Sequence, residues 1–190
     1  SRLSYAESSP RSIPVYFAGS GPRSARAAGE IADGILLNVG AEPAYVRSGL
    51  CSVEDGARAV GRCLKDIRVA ARIPTCISDD PDAKRYVRSQ VGVVVLRKVP
   101  SDLDEKDLLA VERIRQSYNP QEHLRLNAAY AEHVTDSLVD KFALAGRPEE
   151  CLERVQALAK TGIDEMNLTF IHPDPENLLR TFAERILNRL

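Results

Sequence analysis

Residues 13–37 constrain the fold more than any other part of the chain. They read as an apolar strand, a glycine-rich turn, a helix of small residues and a second apolar strand. The alanines and the glycine between Pro22 and Ile31 would let this helix lie close against a sheet. Ala32, Asp33 and Gly34 then turn the chain into the second strand. This order predicts a β-α-β unit with two parallel strands.

The turn of this unit is a candidate anion site. It consists of Ala18, Gly19, Ser20, Gly21 and Pro22. The glycines remove side-chain bulk where a ligand would approach the backbone, and proline suits the first turn of a helix. The N–H groups at the start of a helix have no helical acceptor and bind anions. Two interpretations stay open: a tight connection that binds nothing, and a cradle for one phosphate group.

The kind of phosphate site can be narrowed further. Gly19 and Gly21 supply the first two glycines of the dinucleotide fingerprint G-x-G-x-x-G, but Ser24 occupies the third position. No lysine follows in the register of a P-loop. If the turn binds a ligand, the sequence favours a mononucleotide-type or single-phosphate site made of backbone amides.

Further segments carry a family resemblance. The strand and A-G-S-G-P turn are followed by A-G-E-I-A-D-G-I-L-L, and then, in order, by residues 69–83, 134–146 and 148–164. This ordered set resembles the bacterial luciferase-like monooxygenase superfamily. It is most similar to the branch that uses the deazaflavin coenzyme F420 and includes methylenetetrahydromethanopterin reductase. The resemblance covers nearly the whole chain.

The resemblance implies an α/β fold that is the C-terminal half of a TIM (β/α)₈ barrel. A complete barrel takes about 250 residues, whereas this chain has 190. We predict four parallel strands, corresponding to the family's fifth to eighth, at residues 14–18, 34–38, 67–78 and 165–171. We therefore expect a single partial-barrel domain over residues 1–190, without the first four strands. An extra helical insertion at roughly 101–145 precedes the last strand.

Helical patterns fill most of the remaining chain. They cover residues 22–31, 43–49, 53–64 with Ser52 as cap, a helix opened by residues 79–81 and running to 99, 102–117, 120–132, 135–143, 148–160 and 175–190. Asp79, Asp80 and Asp82 have two interpretations, a helix cap and a carboxylate metal site, and the cap is favoured. Thr135 and Asp136 are also interpreted as cap residues.

The resemblance also implies a chemistry. It is hydride transfer with coenzyme F420, or monooxygenation if FMN is bound instead, and residues 18–22 match the family positions that contact the cofactor phosphate. The residues around the reactive ring lie largely in the absent half, so no catalytic residue is assigned. The other strand ends, at residues 38–40, 76–78 and 169–172, are further candidates by position, with Asn38, Ser78 and His172 named individually. Barrel enzymes bind ligands at the C-terminal strand ends. The alternative is a non-catalytic half-barrel for binding or assembly that retains the phosphate site.

Composition excludes several other functions. Lys and Arg total 26 against 27 Asp and Glu, and aromatic residues make up 5% without tryptophan, so neither nucleic acid nor an anionic membrane is an expected partner. The four cysteines form no C-x-x-C pair, and the three histidines lack metal spacing. We therefore expect no metal site. We expect the cysteines to be small core residues and the protein to be located in the reducing cytoplasm.

The incomplete barrel predicts a partner. Four parallel strands without the other half would leave two unpaired edges and one uncovered face, and such edges invite pairing. We expect the chain to bind a small-molecule substrate and either to form a homo-oligomer or to associate with a missing N-terminal half.

Overall fold

The computed structural model describes residues 13–97 and 99–190. Its strands form one parallel sheet, which confirms the predicted α/β class. The strands are β1 (Tyr16–Gly19), β2 (Gly34–Leu37), β3 (Arg68–Ile77), β4 (Leu144–Gly146) and β5 (Glu165–Phe170). The four predicted strands are all present. Strand β4, which has only three residues, was not predicted.

Strand β3 lies at the centre of the sheet. Its first residues pair with β2, residues 70–75 pair with β5, and residues 75–77 pair with β4. Strand β1 pairs with β2. Within the described part of the chain, β1, β4 and β5 therefore each pair with a single strand and leave one side unpaired.

Seven α-helices surround the sheet in the described ranges. They are α1 (Pro22–Ile31), α2 (Pro43–Ala59), α3 (Ala83–Arg97), α4 (Glu105–Ser117), α5 (Asp136–Phe142), α6 (Pro148–Ala159) and α7 (Pro175–Arg185). Helix α1 has the predicted bounds. The prediction of two helices between residues 43 and 64 was wrong, because α2 is continuous there. Ser52 does not cap a helix, since it lies inside α2 and its hydroxyl donates to the carbonyl oxygen of Ser48 at 3.1 Å.

The predicted helix at residues 120–132 was also wrong. Two short 3₁₀ turns, Pro120–Glu122 and Ala129–His133, stand in its place. Between them Leu124 has a φ of 63°, in the left-handed region that interrupts a right-handed helix. The segment therefore folds back on itself instead of extending along one axis.

A buried carboxylate joins α4 to α5. Asp107 of α4 is fully buried and accepts hydrogen bonds from the hydroxyls of Thr135, at 2.6 Å, and Ser137, at 2.7 Å. Thr135 also caps α5 as predicted, because its hydroxyl accepts from the N–H of Leu138 at 3.1 Å. Hydrogen bonds to a buried charge are stronger than neutral ones, so this contact fixes the relative position of the two helices.

The two faces of the sheet have different environments. The outer face, which includes Ile35, Leu37 and Ile73, packs in one apolar core with α1, α2 and α6. Residues paired in register share a face, so Ala18, Leu36 and Ala70 lie together on the opposite, inner face. A second core, formed mainly by α3, α4 and α5, meets the sheet at the end of β3. The inner face near β1 is left exposed.

Helices α1 and α2 cross at two glycines. A Cβ atom on Gly29 would lie 2.1 Å from the carbonyl oxygen of Val53, and one on Gly56 would lie 1.9 Å from that of Arg26. No side chain fits at these distances, since both neighbours are backbone atoms. The crossing holds α1, and with it the turn before α1, against the outer core.

We predict that Gly29→Ala and Gly56→Ala each lower the free energy of unfolding by about 2 kcal/mol. In an open helix the same change stabilises by about 0.5–1 kcal/mol, so the sign of the effect reports the crossing. The matched control is Gly49→Ala, also in α2, whose new Cβ would lie 3.1 Å from a flexible Leu37 methyl group. Urea midpoints measure all three variants. Equal midpoints for Gly29→Ala and Gly49→Ala would contradict the close crossing.

Candidate functional site

The turn between β1 and α1 has the geometry of a helix N-terminus open to a ligand. Gly21 precedes the helix in an extended conformation, with φ −114° and ψ 164°. Its N–H donates to the Ser24 hydroxyl at 3.3 Å, and that hydroxyl donates to the Gly21 carbonyl at 2.9 Å. The N–H groups of Arg23 and Ser24 have no acceptor inside the helix. The first turn contains no acidic residue that would repel an anion.

The two glycines of the turn have different surroundings. A Cβ on Gly19 would lie 2.7 Å from the Ser24 hydroxyl, whereas one on Gly21 would meet no atom within 4 Å. Gly19 is thus required by contacts inside the protein, and Gly21 borders open space. Ala18 and Pro22 are exposed, and Ser20 is half-buried. The turn therefore has room for a phosphate group beside Gly21, and its residues fit that group.

The strand register places polar residues from three strands at one level. Gly19 pairs with Leu37, and Leu37 pairs with Ala71, so the next residues, Ser20, Asn38 and Arg72, follow at the same height. Neighbouring strands lie about 4.8 Å apart, which puts β1 and β3 about 10 Å apart. The C-terminal ends of β1 and β2 thus lie level with the middle of the long strand β3, and β5 continues beside β3 as far as Thr75.

A cationic cavity of about 90 Å³ lies at this level of the inner face. Its polar lining is Asn38, Arg72, Gln90, Arg97, His123 and Thr169. No carboxylate of the described residues lines it. The Nε–H of Arg72 donates to the Thr169 hydroxyl at 3.3 Å, and the Nδ1 atom of His123 lies 2.6 Å from the Tyr118 hydroxyl oxygen. The cavity presents hydrogen-bond donors and positive charge.

Asn38 and Thr169 lie in strand ends that were predicted as candidates, whereas Arg72, Gln90, Arg97 and His123 were not predicted. One signal was available for Arg72, which is the only charged residue between Val69 and Ser78 in an otherwise largely apolar strand. No comparable signal marked Arg97 or His123. They reach the cavity through α3 and the folded-back segment after α4, whose placement depends on tertiary packing.

A larger cavity of about 430 Å³ adjoins the first one, and Asn38 and Val94 line both. In its wall the Tyr45 hydroxyl donates to the Asp102 carboxylate at 2.8 Å. Burial, and then this hydrogen bond, raise the pKa of Tyr45 above its ordinary value. Tyr45 therefore stays protonated at neutral pH and acts as a hydrogen-bond donor.

His172 lies in a polar network rather than at an open surface. Its side chain is 8% exposed, and its Nε2 atom is 3.6 Å from the Asp80 carboxylate, which accepts a hydrogen bond from the Tyr86 hydroxyl at 3.1 Å. Its Nδ1 atom accepts from the N–H of Asp174 at 2.9 Å. The N–H of Asp82 and the hydroxyl of Tyr86 lower the pKa of Asp80. The network joins the end of β5 to the start of α3.

The other candidate residues at the strand ends serve local structure. The Ser78 hydroxyl accepts a hydrogen bond from the N–H of Asp80 at 3.1 Å, and the Asp80 carboxylate accepts one from the N–H of Asp82 at 2.8 Å. Asp79 forms an ion pair with Arg185. The Asp80 contacts support a turn role for that residue, whereas the Asp79 contact is an ion pair with α7 and not a helix cap. Residues 13–97 and 99–190 contain no group of three potential metal ligands.

The four cysteines have two kinds of environment. Cys76 and Cys151 are buried, as predicted, and burial raises their pKa values to about 12 and about 11. The prediction of core positions was wrong for Cys51, which is exposed, and for Cys63, which is half-buried. The Cys63 thiol donates to the Asp66 carboxylate at 2.9 Å, and this hydrogen bond raises its pKa.

We predict that alkylation at pH 8 modifies Cys51 first, Cys63 more slowly, and Cys76 and Cys151 only after unfolding. Because the pKa of Cys151 is about 11, its thiolate fraction is about one hundredth of that of a thiol whose pKa is 9.0. Mass spectrometry of peptides after timed iodoacetamide treatment measures each rate. Asp66→Asn removes the carboxylate that raises the pKa of Cys63, so it should accelerate that residue alone. Equal native labelling of Cys51 and Cys151 would contradict the burial.

Comparisons with known proteins agree on one family. A family model described as luciferase-like monooxygenase matches residues 2–165. The 5,10-methylenetetrahydromethanopterin reductase of Archaeoglobus fulgidus is 26% identical over 185 residues, covering 95% of this chain and 55% of the relative. The enzyme of the same name from Methanopyrus kandleri is 28% identical over 178 residues, covering 92% and 50%. The chain spans about half the length of the curated relatives it matches.

A solved structure shows the same fold. The coenzyme F420 dependent tetrahydromethanopterin reductase from Methanopyrus kandleri superimposes with a TM-score of 0.72 at 24% identity, covering 93% of this chain and 51% of that one. The match to half of a larger chain agrees with the half-barrel that the sequence predicts. None of the helices in the described ranges is long and apolar enough to cross a membrane.

Proposed function

The chain belongs to the luciferase-like monooxygenase family, and from this membership we propose that it is part of an oxidoreductase that uses coenzyme F420. Its role in cofactor binding is to hold the phosphate group at residues 18–22. The open space beside Gly21 at the start of α1 carries this proposal. The solved relative that depends on coenzyme F420 supports the choice of deazaflavin, and FMN is the alternative cofactor.

The chain would hold the phosphate through its backbone. The N–H groups of Arg23 and Ser24 and the positive end of the α1 dipole favour an anion beside Gly21. The contact between the Ser24 hydroxyl and Gly21 fixes the shape of the turn before any ligand arrives. When bound, the cofactor supplies hydride transfer to or from a small-molecule substrate, and the protein orients its ring. We assign no catalytic residue of this chain.

We predict that Gly21→Asp weakens binding of F420 at least tenfold relative to Gly21→Asn, which is about 1.4 kcal/mol. Both side chains enter the open space and both suit a helix N-cap, so the variants differ mainly in charge. Fluorescence titration with F420, repeated with FMN, measures the affinities, and thermal unfolding verifies the fold. The phosphate assignment fails if the two variants bind equally, or if the unmodified protein binds neither cofactor at tens of micromolar.

We further propose that the open edges of β1 and β5 pair with the N-terminal half of a luciferase-like barrel. Val15, Tyr16 and Phe17 along the β1 edge are exposed. Beside the β5 edge, an apolar groove of about 870 Å³ lies between α6 and α7. Its lining includes Met166, Leu168, Phe170, Phe182, Leu187 and Leu190. An open strand edge with apolar surface beside it is a surface for strand pairing.

This proposal predicts that the 190-residue chain alone self-associates or binds a hydrophobic dye. Light scattering coupled to size exclusion measures the mass, and dye fluorescence measures the exposed apolar surface. Adding an N-terminal half-barrel of the family should remove both signals. A monodisperse monomer without dye binding would contradict the proposal. Self-association that the added half does not displace would favour a homo-oligomer.

A non-catalytic binding or assembly module is a second candidate. It is favoured by one observation: the turn at Gly21 has room for a phosphate group, while no residue of the described ranges is assigned to catalysis. The two functions separate by turnover, because a module would bind F420 through Gly21 but transfer no hydride after assembly with an N-terminal half. The cytoplasmic location stays a prediction from the cysteine pattern.

A further inference from the structure

We propose that the cationic cavity beside Arg72 binds a carboxylate or phosphate group of the substrate. The claim that the ligand is a substrate rests on the proposed oxidoreductase function. The claim that the cavity binds an anion rests only on the geometry of the chain. The cavity is separate from the turn at Gly21, because it lies on β3 and β5 rather than at the end of β1. At about 90 Å³, it falls well below the roughly 300 Å³ of pockets for whole ligands. It therefore suits one charged group of a larger molecule.

Arg72 is prepared to bind an anion. Its Nε–H is fixed on the Thr169 hydroxyl, and its side chain is partly buried on the inner face. Within the described part of the chain, no carboxylate lies within ion-pair distance of its guanidinium, and its Nη atoms have no hydrogen-bond partner. The remaining N–H groups form the planar fork that pairs with both oxygens of a carboxylate or phosphate.

Arg68 provides an internal comparison. It lies four residues earlier on β3, on the same face, and its Nε atom contacts the Glu165 carboxylate at 2.8 Å. Its charge is therefore already matched, whereas that of Arg72 is not. The two arginines of this strand thus have different roles. Arg68 pairs with a carboxylate of the protein, whereas Arg72 is available to an anionic ligand, as expected of a specific anion site and not of a general basic surface.

The other residues of the cavity extend the same chemistry. Gln90 and Asn38 add amide groups, and His123 adds an imidazole whose Nδ1 atom contacts Tyr118. Arg97 lies in the last turn of α3, where part of its charge offsets the helix dipole. Arg72 is therefore the residue on which the proposal depends most.

Inorganic phosphate is the first probe. We expect it to shift the backbone amide resonance of Thr169 in the ¹⁵N-labelled chain, with a dissociation constant in the millimolar range. Arg72→Gln should weaken this binding at least tenfold, and Arg72→Lys should restore part of it. Arg68→Gln should change the affinity less than about twofold. Gly21→Asp should also leave the Thr169 response intact, since the new carboxylate follows β1, which lies about two strand spacings from Arg72 on β3.

Each result of this titration either supports or contradicts the proposed anion site. No Thr169 shift at any phosphate concentration overturns it, and so does equal weakening by Arg72→Gln and Arg68→Gln, which would indicate a diffuse basic surface. Thermal unfolding verifies that Arg72→Gln folds. The Gly21→Asp variant tests the turn at Gly21, and the Arg72→Gln variant tests the cavity. The two proposals can therefore fail independently of each other.

A second titration identifies the source of the anion. If the group belongs to the substrate, Arg72→Gln binds F420 and FMN within about twofold of the unmodified protein. A loss of tenfold or more for either cofactor overturns the substrate assignment, because the cavity would then hold an acidic group of the cofactor. The same comparison is made with the chain assembled with an N-terminal half-barrel.

Discussion

The rest of the structure depends on the pairing of β3 with three other strands. This strand of ten residues contacts β2 near its start, β5 along its middle and β4 at its end. Because the pairing is parallel throughout, every loop that leaves the C-terminal end of a strand emerges at the same side of the sheet. The turn at Gly21, the Arg72 cavity and the His172 network therefore lie toward the same side of the sheet, although their residues are far apart in sequence.

The glycine turn depends on contacts on its far side. Gly29 and Gly56 let α1 approach α2 closely, and Gly19 leaves space for the Ser24 side chain. These positions fix the direction in which α1 points its first N–H groups. Gly21 differs from them, because nothing in the described structure occupies the space next to it. Only one of the glycines in this region is thus available to explain ligand binding, and the others explain packing.

The sequence predicted what short-range chemistry determines. Helix α1 was located to the residue, because Pro22 starts it and small residues line it, and the cap at Thr135 follows from one hydroxyl. The strand at Leu144–Gly146 was missed, since three residues carry no detectable alternation. The failure at residues 120–132 has a different cause, because Leu124 adopts a left-handed backbone conformation and its N–H donates to the Tyr130 hydroxyl at 3.1 Å. The Arg72 cavity was missed because it combines two strands with α3 and that folded-back segment.

The exposed inner face links assembly to ligand binding. Arg72 and Asn38 lie on a face that is partly open to water, where charge interactions are weak. Covering this face with further strands would lower the local dielectric constant and strengthen the attraction of Arg72 for an anion. By thermodynamic linkage, the anion would then stabilise the assembled form by the same free energy. The degree of barrel closure and the occupancy of the cavity are in this sense two measures of one equilibrium.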